Sequence, residues 1–258
     1  MAQHRADPAE IRRLREACNT CSLNELCLPM SLKAEDVEAL DRIVQRRRPL
    51  HKGEALFHAG DASESVYAVR TGALETVNTS QDGEEQVTGF YLPGELLGLD
   101  AIASGTHRST ATALETTSVC QIPLGDLESL ATHVAGLQHH LLRIMSREIS
   151  GEQDMVLAMA QRNAEQRLAI FLLGFSDRFA NRGLSATRFR LPMSRHELSN
   201  YLGLAPETMS RMFRRFSDAG WLTASGKEIT LDDPEALREL SRANEATMSR
   251  DIGKRGQS

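Results

Sequence analysis

Apolar and polar positions follow different rhythms in successive parts of the chain. Over residues 30–132, short apolar runs are punctuated by glycines at 53, 60, 72, 83, 94, 98 and 105. Ser65–Val69 and Gln86–Tyr91 read as strands, and Asp82-Gly83 between two such runs reads as a hairpin turn. Several short strands at this spacing predict an antiparallel barrel or roll. The period then changes. From His133 to Gln161 there is no proline, and Gly151 is the one glycine after Gly136. Val134, Leu137, Leu141, Met145, Ile149, Val156 and Met159 recur mostly every three or four residues, which predicts a long amphipathic helix. A stripe this narrow and this long suits a helix-to-helix seam better than a broad core face. Glu152 interrupts it. A phase error of two or three residues would turn that carboxylate to solvent; without one, a parallel pair of helices would set it against its own copy.

The clearest local pattern lies further on. Ser194 followed by Glu197 is a capping box, so a helix should start there, with Leu198 and Leu202 as its apolar face. Gly203 supplies the backbone freedom that ends a helix. Pro206 then suits the first turn of a second helix, where its missing N–H costs nothing. Met209, Phe213 and Phe216 fall on one side of that helix, and Glu207, Ser210, Arg211 and Arg214 on the other. Two short helices with a glycine in the turn make a helix-turn-helix, whose second helix enters the major groove of DNA. Arg pairs bidentately with guanine, Glu accepts from cytosine and Ser contacts either, so the exposed side chains suit base reading. Gly220-Trp221-Leu222, a turn at Ser225-Gly226-Lys227 and Glu228–Leu231 read as a two-stranded wing.

The charge distribution supports a partner with phosphates. The 258-residue chain has a net charge of −5, yet residues 163–220 carry nine Arg and no Lys against five acids, a local +4. Arg214 and Arg215 are candidates for phosphate contacts. Hydrophobic residues at 41% and charged residues at 25% argue for ordinary folded domains, and no apolar run approaches the length of a membrane span. The polar N-terminus lacks a signal-type apolar region, so the expected location is the cytoplasm, where thiols stay reduced. Three of the four cysteines nonetheless crowd into one polar segment as Cys18-x-x-Cys21-x5-Cys27, with Cys120 far away at the end of a strand-like run. Four thiolates can hold an iron–sulfur cluster or tetrahedral zinc, and the spacing alone leaves both open.

Roll, seam helix and winged helix-turn-helix, in that order, resemble the CRP/FNR superfamily of bacterial transcription regulators over roughly residues 18–240. Gly53–Phe57 and Pro93–Gly98 are similar to its cyclic-nucleotide-type roll. Gln153–Met155, Asn163–Leu168 and Asn200–Leu204 are similar to its oxygen-sensing FNR branch. The resemblance implies a [4Fe–4S] cluster on Cys18, Cys21, Cys27 and Cys120. It implies Glu207, Ser210 and Arg211 as base readers of palindromic TTGAT-type half-sites. It further implies a homodimer through Leu141, Met145, Ile149, Glu152, Val156 and Met159, with Glu152 weakening the seam until the cluster binds, and contact with RNA polymerase.

The expected fold is α+β: an N-terminal cysteine segment (1–29), a cyclic-nucleotide-binding-type β-roll (30–132), a dimerisation helix (133–161), a winged helix-turn-helix domain binding double-stranded DNA (162–240) and a polar tail (241–258). No nucleophile–base set, phosphate loop or dinucleotide fingerprint appears, so an enzyme is not expected. A cyclic-nucleotide-gated regulator is the runner-up, because Gly94-Glu95 and Arg108-Ser109 resemble a nucleotide cradle; the thirteen-residue gap between Glu95 and Arg108 weakens it. A metal-dependent redox enzyme is a more distant third.

Overall fold

The computed structural model describes residue 18, residues 21–30 and residues 32–242; the tail from 243 onward lies outside them. Helix α1 (Ala34–Ile43) leads into β1 (Gln45–Arg46), β2 (Ala55–Phe57), β3 (Ser65–Thr71), β4 (Leu74–Thr79), β5 (Glu85–Tyr91), β6 (Leu96–Leu97), β7 (Thr110–Ala113) and β8 (Ser118–Pro123). These strands form two antiparallel sheets, ordered β1-β8-β3-β6 and β2-β7-β4-β5. Alternation along the strands sorts side chains between faces. Tyr67 and Val69 point between the sheets, sharing a core with Leu56, Phe57, Leu74 and Ala111. Val66, Ala68 and Ile122 point outward, where they pack against Leu28, Leu40, Leu127 and Leu137. The tight turn from β3 to β4 needs Gly72, whose φ is +79° and where any Cβ would collide with Thr117.

The second sheet has its own outward face, made by a bulge. Thr76 pairs with Gly89 but Val77 with Val87, leaving Thr88 as an extra residue. The bulge shifts the alternation, so Val87 and Phe90, three residues apart, both join one buried cluster outside the roll.

After β8 come α2 (Leu124–His133) and the 27-residue α3 (Ala135–Gln161), separated by Val134. Helix α4 (Ala164–Ala180) opens on a second capping box, Asn163 with Gln166. There follow β9 (Arg188–Arg190), α5 (Arg195–Tyr201), α6 (Pro206–Asp218), β10 (Leu222–Ser225), β11 (Glu228–Leu231) and α7 (Pro234–Arg242). The expected two-stranded wing is thus a three-stranded sheet, β10-β11-β9. The pattern assigned no element after Leu231, yet α7 packs on α4 with Leu237 fully buried.

The large cluster that holds this C-terminal part together includes Leu168, Leu172, Phe175, Phe213 and Phe216, and it also takes in Ala73, Val87, Phe90, Leu92 and Leu114 of the roll. The roll therefore has two covered outer faces. One carries α1, α2, the first third of α3 and the cysteine segment. The other carries α4 and the helix-turn-helix.

Candidate functional site

The cysteine segment and β8 meet. Cys120 stands opposite Ala68 on β3 and Arg46 on β1, on the outward face of its sheet. Cys18, Cys21, Cys27 and Cys120 line one cavity of about 40 Å³, walled by Leu28, Leu40, Ala68 and Ile122. All four are free thiols. Among the described residues, no three His, Cys, Asp or Glu side chains converge on a position for a single ion. Burial pushes the Cys18 thiol up to about 12, with a hydrogen bond to Asp41 adding to it. Burial likewise pushes Cys27 up to about 12 and raises Cys120. Left alone, these groups are neutral thiols, and each thiolate would repel its neighbours. The cationic side chains nearby work the other way: Arg46 favours the thiolate at Cys18 and Cys120, and Arg70 does so at Cys120. Asp41 anchors the segment, accepting from the Cys18 backbone N–H at 3.0 Å and from Arg46 at 2.8 Å. Soft sulfur donors around a cavity, with positive charge behind them, fit an anionic cluster held by four thiolates.

On the side of α3, the Cys27 carbonyl accepts from Met30 N–H at 3.0 Å and lies 3.2 Å from His140 Nε2. His140 is 3% exposed, and burial holds its pKa below the ordinary imidazole value.

The helix-turn-helix forms as its local chemistry dictates. Ser194 Oγ accepts from Glu197 N–H, and Glu197 reaches back to the Ser194 N–H. Gly203 takes φ +61° between the helices, and Pro206 opens α6. Met209, Met212, Phe213 and Phe216 are buried, whereas Glu207, Ser210, Arg211, Arg214 and Arg215 are exposed. Arg215 forms an ion pair with Glu165 of α4. Ser210 Oγ donates to the Pro206 carbonyl at 3.0 Å, an intrahelical bond that a DNA acceptor would have to replace. Arg195 lies 3.5 Å above the Phe213 ring and donates to the Gly226 carbonyl at 3.1 Å, tying α5 to the wing tip. Burial lowers Arg195 to about 10, which still leaves it cationic at neutral pH.

Helix α3 carries the stripe expected to form a seam. Leu142 is 59% exposed, Met145 38%, Ile149 55% and Val156 66%, and Glu152 lies exposed among them. Positions 142, 145, 149, 152 and 156 alternate steps of three and four, the coiled-coil period. Two expected seam residues fall elsewhere. Leu141 is partly buried against the roll, because Leu137 and His140 on its side of the helix are anchored there, and Leu142 takes the outward place. Met159 packs into the C-terminal cluster, with its sulfur 3.5 Å from Arg167 Nη1.

Sequence reasoning missed the contacts between the roll and the C-terminal domain. Glu95 accepts from Arg178 Nε at 2.9 Å, Arg182 Nη2 at 2.6 Å and the Leu92 N–H at 2.8 Å. Burial raises this carboxyl, but the Arg178 and Arg182 guanidiniums outweigh it and hold the group below the usual carboxylate range. The acid that the nucleotide reading needs for a ribose is therefore already committed. Asn200 of α5 extends the free edge of β5, accepting from Val87 N–H at 2.6 Å and donating to the Glu85 carbonyl at 2.7 Å. Its own carbonyl accepts from Gln86 at 2.7 Å.

Among the described residues no helix is long and apolar enough to cross a membrane. Residues 47–133 match the cyclic nucleotide-binding domain, and residues 166–240 the Crp-like helix-turn-helix domain. The chain is 51% identical over 237 residues to the transcriptional activator protein Anr of Pseudomonas protegens, covering 92% of this chain and 97% of that protein. It is 44% identical over 236 residues to the fumarate and nitrate reduction regulatory protein of Escherichia coli K12, covering 90% and 94%. The solved structure of FixK2 from Bradyrhizobium japonicum superposes with a TM-score of 0.70 at 31% identity, covering 77% of this chain and 97% of that one.

Proposed function

The chain belongs to the FNR branch of the CRP/FNR family of transcription regulators, and on that premise we propose that it is an oxygen-responsive, dimeric, DNA-binding switch whose sensor is a [4Fe–4S] cluster on Cys18, Cys21, Cys27 and Cys120. The observation that carries this reading is the single cavity lined by those four cysteines, three from a segment before the roll and one from a strand within it. When bound, such a cluster would supply an oxygen-labile iron–sulfide core whose positive charge offsets only part of the charge of the four thiolates, so the loaded site stays anionic. The protein's part is to give up the four thiol protons and to present Arg46 and Arg70 behind the sulfurs. Because Cys18 and Cys27 resist ionisation, assembly should release protons and strengthen with rising pH.

With the segment held to the roll, Leu28 stays buried against Leu137 at the start of α3. Two copies then pair along Leu142, Met145, Ile149, Glu152 and Val156. Pairing brings two α6 helices to a palindromic TTGAT-type site, with Glu207, Ser210 and Arg211 reading base edges and Arg214 and Arg215 meeting phosphates. RNA polymerase is the partner to be contacted from the DNA-bound dimer.

Anaerobically purified protein should show a broad brown absorbance, about four iron and four sulfide per chain, and tight binding to a palindromic duplex. All three should fade together in air. Full iron and sulfide retention by a Cys120→Ser variant would remove Cys120 from the ligand set, and oxygen-insensitive DNA binding by wild type would end the switch reading.

A further inference from the structure

The exposed stripe of α3 faces away from the roll, and on the roll side the His140 side chain reaches from the helix to the cysteine segment. His140 is almost wholly buried, close in sequence on α3 to Leu137 and Leu141, which belong to the apolar cluster that takes in Leu28 and Cys27. A carbonyl oxygen only accepts, so His140 Nε2 carries the proton and donates to Cys27. The other ring nitrogen, Nδ1, is then a bare acceptor, buried without a hydrogen-bond partner. In stability alone this is a poor use of a core position, since an apolar side chain would avoid the orphaned nitrogen. The contact also has a particular address. It grips the backbone of a proposed cluster ligand. It starts two residues before Leu142, the first exposed apolar side chain of the seam stripe, on the opposite side of the helix. Just upstream, the segment already runs close to α3: a Cβ on Gly136 would lie 3.3 Å from Leu32 Cδ2.

We propose that His140 is a positioning residue that couples the cysteine segment to the seam. When Cys27 is held in place, its carbonyl fixes the rotation of α3's first turns and so aims Leu142 and Met145 at the partner helix. When the segment is released, the ring loses its acceptor, both ring nitrogens stand unpaired in an apolar pocket, and the start of the helix must shift or admit water. The coupling rests on the cluster-and-dimer reading above.

The test compares wild type, His140→Leu and His140→Gln, each with its cluster under anaerobic conditions and each in its apo form. Dimer constants come from sedimentation, and iron and sulfide are assayed in parallel. The expected quantity is the ratio of loaded to apo dimer constants. His140→Leu keeps its four thiols and its cluster, but this ratio drops by about tenfold, within the usual range of site-to-site coupling. His140→Gln, whose amide N–H can reach the same carbonyl, restores most of it. A purely structural role would move loaded and apo constants together and leave the ratio unchanged. A wild-type ratio above one that His140→Leu preserves overturns the coupling alone. A wild-type ratio of one overturns the switch reading and the coupling with it. If His140→Leu does not fold, a His140→Gln protein with a lost ratio and an intact cluster also overturns the hydrogen-bond account.

Discussion

Replacing Glu152 by Ala should turn the apo protein from monomer toward dimer, and the exposed stripe of α3 sets the size of the effect. Leu142, Met145, Ile149 and Val156 retain between 38% and 66% of their exposure in the single chain. Fully burying such a side chain is worth about 1.5–3 kcal/mol, so covering what remains gives about 1 kcal/mol each, or about 8 kcal/mol over both copies. Association costs roughly 4–15 kcal/mol in lost translational and rotational freedom. The apolar stripe alone therefore stands near balance, and a modest term decides the outcome. Two carboxylates meeting about 5 Å apart across a parallel seam repel by about 3 kcal/mol at an effective dielectric of ~20, and by less than about 1 kcal/mol in full water. Glu152→Ala should therefore strengthen dimerisation by roughly four- to two-hundredfold, and Glu152→Gln by a similar factor through loss of charge alone. The wild-type constant should tighten with added salt, whereas the two variants should respond weakly. Sedimentation equilibrium of the three apo proteins over a salt series measures this. Equal constants and equal salt slopes would mean that Glu152 turns away from its copy, and the argument from the stripe would fail.

Three further outcomes follow from contacts between and within the domains. Glu95→Gln removes the charge that Arg178 and Arg182 share and should cost about 2–4 kcal/mol in urea unfolding at pH 7; because Glu95 is held below the usual carboxylate range, its contribution is lost as pH falls through that lowered value, so the two proteins should converge under strongly acidic conditions. Glu75 behaves in the opposite sense: burial first, then Glu197 and Glu85, raise it from 4.5 to about 7, so the folded state keeps a proton that the unfolded state loses, and stability should fall as pH rises from about 4.5 to about 7. Glu75→Gln should abolish that fall in melting temperature, and parallel curves for both proteins would show that the group is solvated. Arg211→Ala should weaken a matched site by ~1–3 kcal/mol and relax preference at one guanine, whereas Arg214→Ala should weaken all sequences alike and reduce the salt slope; equal losses on matched and mismatched sites would remove Arg211 from base reading.

The helix-turn-helix was legible because its signals are local. Ser194, Glu197, Gly203 and Pro206 each act within one helical turn, and each is found in the role its chemistry implies. The exposed stripe of α3 was legible in its period but not fully in its phase. Leu141 and Leu142 are both apolar neighbours, and which one faces out depends on His140 and Leu137 being held by the roll, a tertiary fact. That Cys120 belongs with the N-terminal cysteines came only from the family resemblance and not from spacing, since its placement follows from the register of β8 on β3 and β1. Helix α7 did leave a signal: Asp233 caps it by accepting from Ala236 N–H, Pro234 opens it, and Leu237 with Leu240 forms its apolar side. Neither Glu95 with Arg178 and Arg182 nor Asn200 on β5 could be read, because each joins residues more than eighty positions apart.

That docking of α5 on β5 has a consequence for how the molecule can be divided. β5 ends its sheet, and an unpaired strand edge is a template for other chains. Here Asn200 occupies part of the edge, while α4 and α5 cover Val87 and Phe90 beside it. A fragment ending after α3 would bare both the backbone edge and the apolar face together. Such a piece should self-associate through its sheets, whatever its cysteines hold. The C-terminal domain is thus the roll's own protection against aggregation, and a truncation meant to isolate the sensor would report on sheet stacking instead.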